Sequence, residues 1–243
     1  GKTYERILSS AADSAVLMIR GLEPEDYSFS VMVEDFNGNK TNSRDMGTYK
    51  PLLEQKIDKS TWKVLQNLSV DGDKWEGTLA SFWDDVVDTK EVNTDNSYFI
   101  INRDDNGGML KWPLDIVIDL NKTVLINRFV VWQRAFAYVN AEQNGVSTDY
   151  YYYKEENMRS FAISVSTDKL VWVPLGTFDI GDPRDAAGDI SPAKYKEAID
   201  GHEFNLESVS QPFRYLKFSV LSNYGSETNV YGSEITLYGL DNQ

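Results

Sequence analysis

The 243-residue sequence contains no cysteine and a single histidine. Without a thiol there is no disulfide, no thiolate metal site and no cysteine nucleophile, although the compartment stays open because exported proteins often lack disulfides. Basic residues are also scarce: 24 Lys and Arg stand against 38 Asp and Glu, a formal net charge of -14. That field repels a phosphate backbone, and no local Lys/Arg cluster reverses it, so nucleic acid and anionic membrane surfaces are excluded as partners. No apolar run reaches the roughly 18 residues of a membrane-spanning helix, so this chain does not insert directly into a bilayer. Gly-x-Ser-x-Gly, His-Glu-x-x-His, Gly-x-Gly-x-x-Gly and the phosphate-binding loop are all missing. The lone His202 sits in Asp200-Gly201-His202-Glu203 and reads as a turn or surface residue. The many acids offer too many pairs to single out a glycosidase couple, so no enzymatic chemistry is expected.

What is present is β-type patterning and aromatic residues. At 41% hydrophobic and 13% aromatic content the chain can bury one large core or two smaller ones. The organising stretch is Trp112-Pro113-Leu114-Asp115-Ile116-Val117-Ile118-Asp119-Leu120 with its continuation Ile126 to Arg134. Two Ile/Val-rich runs flank the polar turn Asn121-Lys122-Thr123, which predicts a core hairpin. Upstream, Tyr27, Phe29, Val31 and Val33 alternate, predicting a strand with one buried face that ends in the turn Asp35-Phe36-Asn37-Gly38-Asn39. A short helix is expected at Thr78 to Trp83, and Phe161 to Ser166, Thr167-Asp168-Lys169 and Val171 to Leu175 form a hairpin. Two long polar excursions, 135–158 and 179–202, interrupt the pattern; loops of this length are usually functional or flexible.

The arrangement Gly21-Leu22, Pro24, Tyr27, Phe29, Val31, Val33, Asp35, Gly38-Asn39 resembles the later strands of a fibronectin type III module. It covers about 40 residues where such a sandwich needs roughly 100, so we expect a segment of a longer multidomain protein. Residues 1–45 are assigned to this segment, 46–58 to a linker and 59–243 to a second domain. In that domain Trp83-Asp84-Asp85, Ile116 to Leu120, Ile126 to Arg134, Phe161 to Asp168 followed by Trp172, Phe213-Arg214-Tyr215-Leu216-Lys217 and Ser233 to Gly239 follow in order. Together they resemble the discoidin family, the coagulation-factor C-type domains that include the family 32 carbohydrate-binding modules. Asp85 and Asn121 stand where that family usually has glycine.

The resemblance implies an all-β fold: an antiparallel jelly-roll β-sandwich of galactose-binding type, with loops at one end as the binding surface. It implies a non-catalytic carbohydrate-binding module that stacks an aromatic ring on a sugar and bonds its hydroxyls. The residues in the matching loops are Arg134, Phe136, Tyr138, Asn223, Tyr224 and Tyr231, with Trp75 from the first loop and Tyr151 from the run Tyr150 to Tyr153. Many family members also hold a structural calcium, a hard cation that takes oxygen ligands, and the corresponding positions are Asp84, Asp88, Thr89 and Glu234. The two-part organisation resembles surface or periplasmic lipoproteins of glycan-foraging Gram-negative bacteria. The implied setting is therefore the cell surface or periplasm, with a lipid anchor and a glycan or polysaccharide ligand. The alternative is a protein-protein adaptor that docks another protein of an uptake system on the same face.

Overall fold

The computed structural model describes residues 19, 22–51, 53–71, 77–89, 97–103, 108–135, 152–206 and 210–241. Backbone contacts divide the chain into two compact units, Gly1–Leu53 and Glu54–Gln243.

In the first unit β1 (Tyr27–Val31) pairs antiparallel with β2 (Arg44–Tyr49). The turn beyond β1 forms as the sequence predicts: Asp35 accepts the amides of Asn37 and Asn39 at 2.8 and 2.9 Å, and Gly38 adopts φ +81°. The expected buried face does not appear. Tyr27 and Phe29 are only half-buried, while Val31 and Val33 are 38% and 63% exposed. The reason is physical: a two-stranded ribbon has no second layer to cover its apolar side. Residues 46–58, expected as a linker, hold the end of β2 and all of β3 (Gln55–Lys56).

The second unit is an antiparallel β-sandwich. Its spine is β6 (Leu114–Trp132), and the expected hairpin is in fact this one long strand. The two apolar runs do not pair with each other. Asn121, at φ +59°, bends the chain without reversing it, and the halves join different neighbours. The first half pairs with β4 (Lys63–Val64) and β10 (Phe213–Asn223), and the second with β9 (His202–Asn205) and β12 (Glu234–Asp241). Beyond β10 the sheet continues through β7 (Met158–Ser166) to β8 (Val173–Asp179), and on the other side β12 is followed by β3. A separate ribbon joins β5 (Phe99–Asn102) to β11 (Asn229–Gly232). A chain of phenylalanines fills the space between layers. Phe82 meets Phe99 and Phe218 edge-on at 5.1 and 4.9 Å, Phe218 stacks on Phe161 at 4.6 Å, and Phe129 meets Phe178 at 4.9 Å. Each fully buried ring contributes about 1.5–3 kcal/mol.

The expected short helix is a single 3₁₀ turn, Leu79–Phe82, closed by reciprocal bonds between Thr78 and Ser81. The second excursion contains α1 (Pro192–Asp200), started by the Ser191 side chain accepting the Lys194 amide. It stops at Gly201, whose φ of +91° suits a helix end and whose Cα lies so close to Trp132 that a Cβ would sit 2.4 Å from the indole. His202 then enters β9 and is 3% exposed, so it is a core residue and not the surface histidine expected.

Candidate functional site

One turn, residues 154–157, gathers the strand ends at one edge of the sandwich. The Asn157 amide donates to Lys154 O at 2.9 Å, closing the turn. Its side chain, fully buried, grips the backbone of Arg134 on both sides: Oδ1 accepts Arg134 N–H at 3.1 Å and Nδ2 donates to Arg134 O at 3.0 Å. The same Nδ2 donates to Tyr152 O at 2.7 Å. On the other side of the turn Glu156 O accepts Tyr231 N–H at 2.8 Å, and Glu155 O accepts the amides of Tyr224 and Ser226 at 3.0 and 3.1 Å. The ends of β6, β10 and β11 are thereby tied to one short piece of backbone.

Arg134 lies inside this knot. Its guanidinium sits 3.5 Å from the Tyr98 ring centroid and 4.9 Å from that of Tyr231, a cation held between two π faces. The residue is 5% exposed, so it presents little of its charge to solvent. Asp88 is buried in the same unit and accepts from Ser97 Oγ at 2.6 Å, while its amide donates to Ser233 Oγ at 2.8 Å. Burial pushes its carboxyl up to about 6, against the opposing pull of the Ser97 bond and the Arg134 charge.

Arg134, Asn223, Tyr224 and Tyr231 are thus brought together, but in different capacities. Asn223 builds the turn between β10 and β11, donating to the carbonyls of Ser226 and Asn229 at 2.8 and 2.9 Å. Tyr224 anchors the second excursion: its hydroxyl donates to Gly181 O at 2.7 Å and its ring meets Tyr153 edge-on at 6.0 Å. Tyr153 in turn donates to Lys194 O of α1 at 2.8 Å. Burial pushes both hydroxyls above their ordinary range. Tyr231, half-buried over Arg134, is the aromatic face this group offers. Trp75, Phe136, Tyr138 and Tyr151 lie outside the described residues. Sequence reasoning missed Tyr98 and Asn157, whose partners are backbone atoms and rings remote in sequence and leave no local pattern.

The four oxygen-bearing positions expected to hold calcium do not gather around one point. Asp84 is exposed and caps the Val86 amide at 2.9 Å, Thr89 is half-buried, and Asp88 accepts from Ser97 through Oδ1 alone, its Oδ2 being buried without a hydrogen-bond partner among the described residues. Both oxygens of Glu234, 1% exposed, are engaged: Oε1 accepts from Lys59 Nζ at 2.6 Å and Oε2 from Asp85 N–H at 2.8 Å. Among the described residues no three Asp, Glu or His side chains gather as a metal-holding group. No helix among them is long and apolar enough to cross a membrane.

Comparison with known proteins places this architecture. Among solved structures, a SusE-like protein shares the fold at 22% identity and a TM-score of 0.60, over 92% of this chain and 80% of that one. The C-terminal domain of a Bacteroides fragilis chitobiase matches at 16% identity and a TM-score of 0.49, over 78% of this chain and 100% of that one. A family 32 carbohydrate-binding module from C. perfringens, solved with galactose, matches at 10% identity and a TM-score of 0.49, over 76% and 99% respectively. The all-β sandwich read from the sequence therefore stands on the first of these likenesses. No curated protein sequence matches the chain. A family model described as a domain of unknown function, DUF5000, matches residues 83–239, and the protein belongs to that family.

Proposed function

We propose that the protein is a non-catalytic carbohydrate-binding module whose ligand approaches the end of the sandwich built around the 154–157 turn. The observation that carries this reading is the convergence of Arg134, Asn157, Tyr224 and Tyr231, from separate strands, into one hydrogen-bonded group with the Tyr231 ring at its margin. A sugar's apolar face stacks on such a ring, while its hydroxyls bond to polar groups held in fixed positions. A preorganised backbone lowers the ordering cost of capturing a polar ligand. His202, 3% exposed, offers no accessible imidazole to a ligand at this end.

In this reading the ligand is a glycan or polysaccharide. The protein works at the cell surface or in the periplasm of a glycan-utilising bacterium, with residues 1–45 as a fibronectin-like spacer. The test is a glycan array probed with the full chain, alongside a Tyr231→Ala variant of matched thermal stability. Binding to a defined glycan class that the variant loses supports the reading. A folded chain that binds none, yet captures one protein of an uptake system without competition by sugar, replaces it with the adaptor function.

A further inference from the structure

Lys59 is an unusual residue to find inside a sandwich. Its side chain is 2% exposed, and its ammonium is surrounded by four oxygens: Glu234 Oε1 at 2.6 Å, Asp85 Oδ1 at 2.6 Å, Ile235 O at 3.0 Å and Thr236 Oγ1 at 3.1 Å. Two carboxylates, a carbonyl and a hydroxyl form the all-oxygen donor set that hard cations prefer. Ammonium has three hydrogens for these four acceptors, so charge as well as hydrogen bonding holds it there.

The neighbouring backbone explains how the lysine arrives. β3 pairs with β12, and the following Ile57 donates its amide to Leu237 O at 2.9 Å, which carries residue 59 alongside Ile235. Asp85 supplies the second carboxylate from a left-handed conformation, φ +67°, at a position where the resembling family has glycine. A glycine there offers no side chain. Asp85 also holds Lys56 Nζ at 2.7 Å from the exposed side. Asp85, which departs from the family pattern on the turn, and the buried Lys59 are therefore the two partners of one ion pair.

We propose that Lys59 is a tethered cation that takes the place of a divalent ion in this sandwich, so that the link between the 83–89 segment and β12 forms without metal. The link joins Asp85 to Glu234, 149 residues apart, and Lys59 to Glu234, 175 residues apart. Removing the ammonium leaves two facing carboxylates with Lys56 beside them as counter-charge, and half of the Asp85 side chain open to solvent as an entry path. The emptied cage accepts a free cation. This inference is independent of glycan binding.

The wild-type protein tests it first. Its thermal midpoint stays the same in excess calcium and in excess chelator, and the Lys59 ammonium protons give slowly exchanging resonances that calcium does not shift. In Lys59→Ala the midpoint falls in chelator and is restored by calcium, or by ethylammonium as a soluble surrogate for the missing group, with a saturable rise of roughly 5 °C or more. In Lys59→Met, which fills the cage with an apolar stem, neither cation restores the midpoint. A calcium-dependent midpoint or shifted Lys59 resonances in the wild type overturn the proposal. So does a folded Lys59→Ala variant that responds to neither cation. If Lys59→Ala does not fold, the wild-type resonances and chelator response decide alone.

Discussion

Two of the buried groups, His202 and Asp88, make the stability of the sandwich depend on pH in opposite directions, and substitution separates them. His202 is 3% exposed, with its ring 5.8 Å from Tyr153 and Nδ1 3.5 Å from Glu197 Oε1. Its Nε2 has no hydrogen-bond partner among the described residues. Burial pulls the imidazole from 6.5 down to about 4, and Glu197 only partly offsets this. Above pH ~6.5 both the folded and unfolded chains carry it neutral. As pH falls below that, the unfolded chain takes up a proton that the folded one refuses, so stability is lost down to about 4. Each tenfold difference in proton affinity between the two states is worth about 1.4 kcal/mol, so the full loss is about 3 kcal/mol, of which about 2 kcal/mol is reached by pH 5.

Asp88 acts in the other sense. Its carboxyl is raised from 3.8 to about 6, so the folded chain binds a proton that the unfolded chain releases. Its contribution is present in full below about 3.8 and is lost as pH rises through about 6. Between pH 7 and pH 5 that is a gain of about 1 kcal/mol on acidification. Urea unfolding across this range, with wild type, His202→Gln and Asp88→Asn, reads both. Referred to its own value at pH 7, His202→Gln retains about 2 kcal/mol more at pH 5 than wild type, and Asp88→Asn loses about 1 kcal/mol more. Stability curves for both variants running parallel to wild type would refute the burial assigned to these side chains.

Substitutions at three further positions probe the frame. Gly239→Ala puts a Cβ 1.9 Å from Leu125 O and 2.6 Å from Ile126 Cα, both backbone atoms on β6, so we expect a loss of about 3 kcal/mol or more; an unchanged thermal midpoint removes the close approach of β12 to β6. Asn121→Gly keeps stability within about 0.5 kcal/mol, whereas Asn121→Ala costs about 1 kcal/mol because an alanine resists positive φ; equal midpoints for the two would contradict the bend in β6. Asn157→Ala removes the side-chain bonds to the Arg134 amide and to the Arg134 and Tyr152 carbonyls, costing about 3 kcal/mol, and amide exchange should rise across 152–157 before it rises in β7; uniform exchange would contradict Asn157 as the tie that holds this turn.

Much of this architecture is legible in the chain. Alternation in Phe161 to Ser166 and in Ser233 to Gly239 marks β7 and β12, because one face of each must be apolar. The break at Asn121-Lys122-Thr123 misleads, since a polar tripeptide between apolar runs looks the same whether the chain reverses or only bends; a single left-handed residue decides it. Helix α1 carried its signals, Ser191 as cap, Pro192 in the first turn and Gly201 at the end, but buries only Ala198 and so lacks an apolar stripe. At the edge of the sandwich, Arg134 and Tyr231 could be placed by motif. Asn157 could not, because it bonds backbone atoms, which any sequence supplies. Lys59 was invisible for a related reason: its partners lie on the turn at Asp85 and on β12, and only the folded chain brings them within 3.1 Å.

The central claim is that a glycan binds at the edge tied together by the 154–157 turn. From there the nine-residue β7 carries the chain about 27 Å toward the hairpin tip at Leu170, which is 84% exposed. Calorimetric titration of the best glycan from an array against wild type, Tyr231→Ala and Leu170→Ala tests the claim most directly. The account predicts that Tyr231→Ala weakens binding by about tenfold or more, a loss of about 1.4 kcal/mol, while Leu170→Ala binds as wild type does. Equal affinity in wild type and a folded Tyr231→Ala, or loss of binding in Leu170→Ala alone, would contradict it.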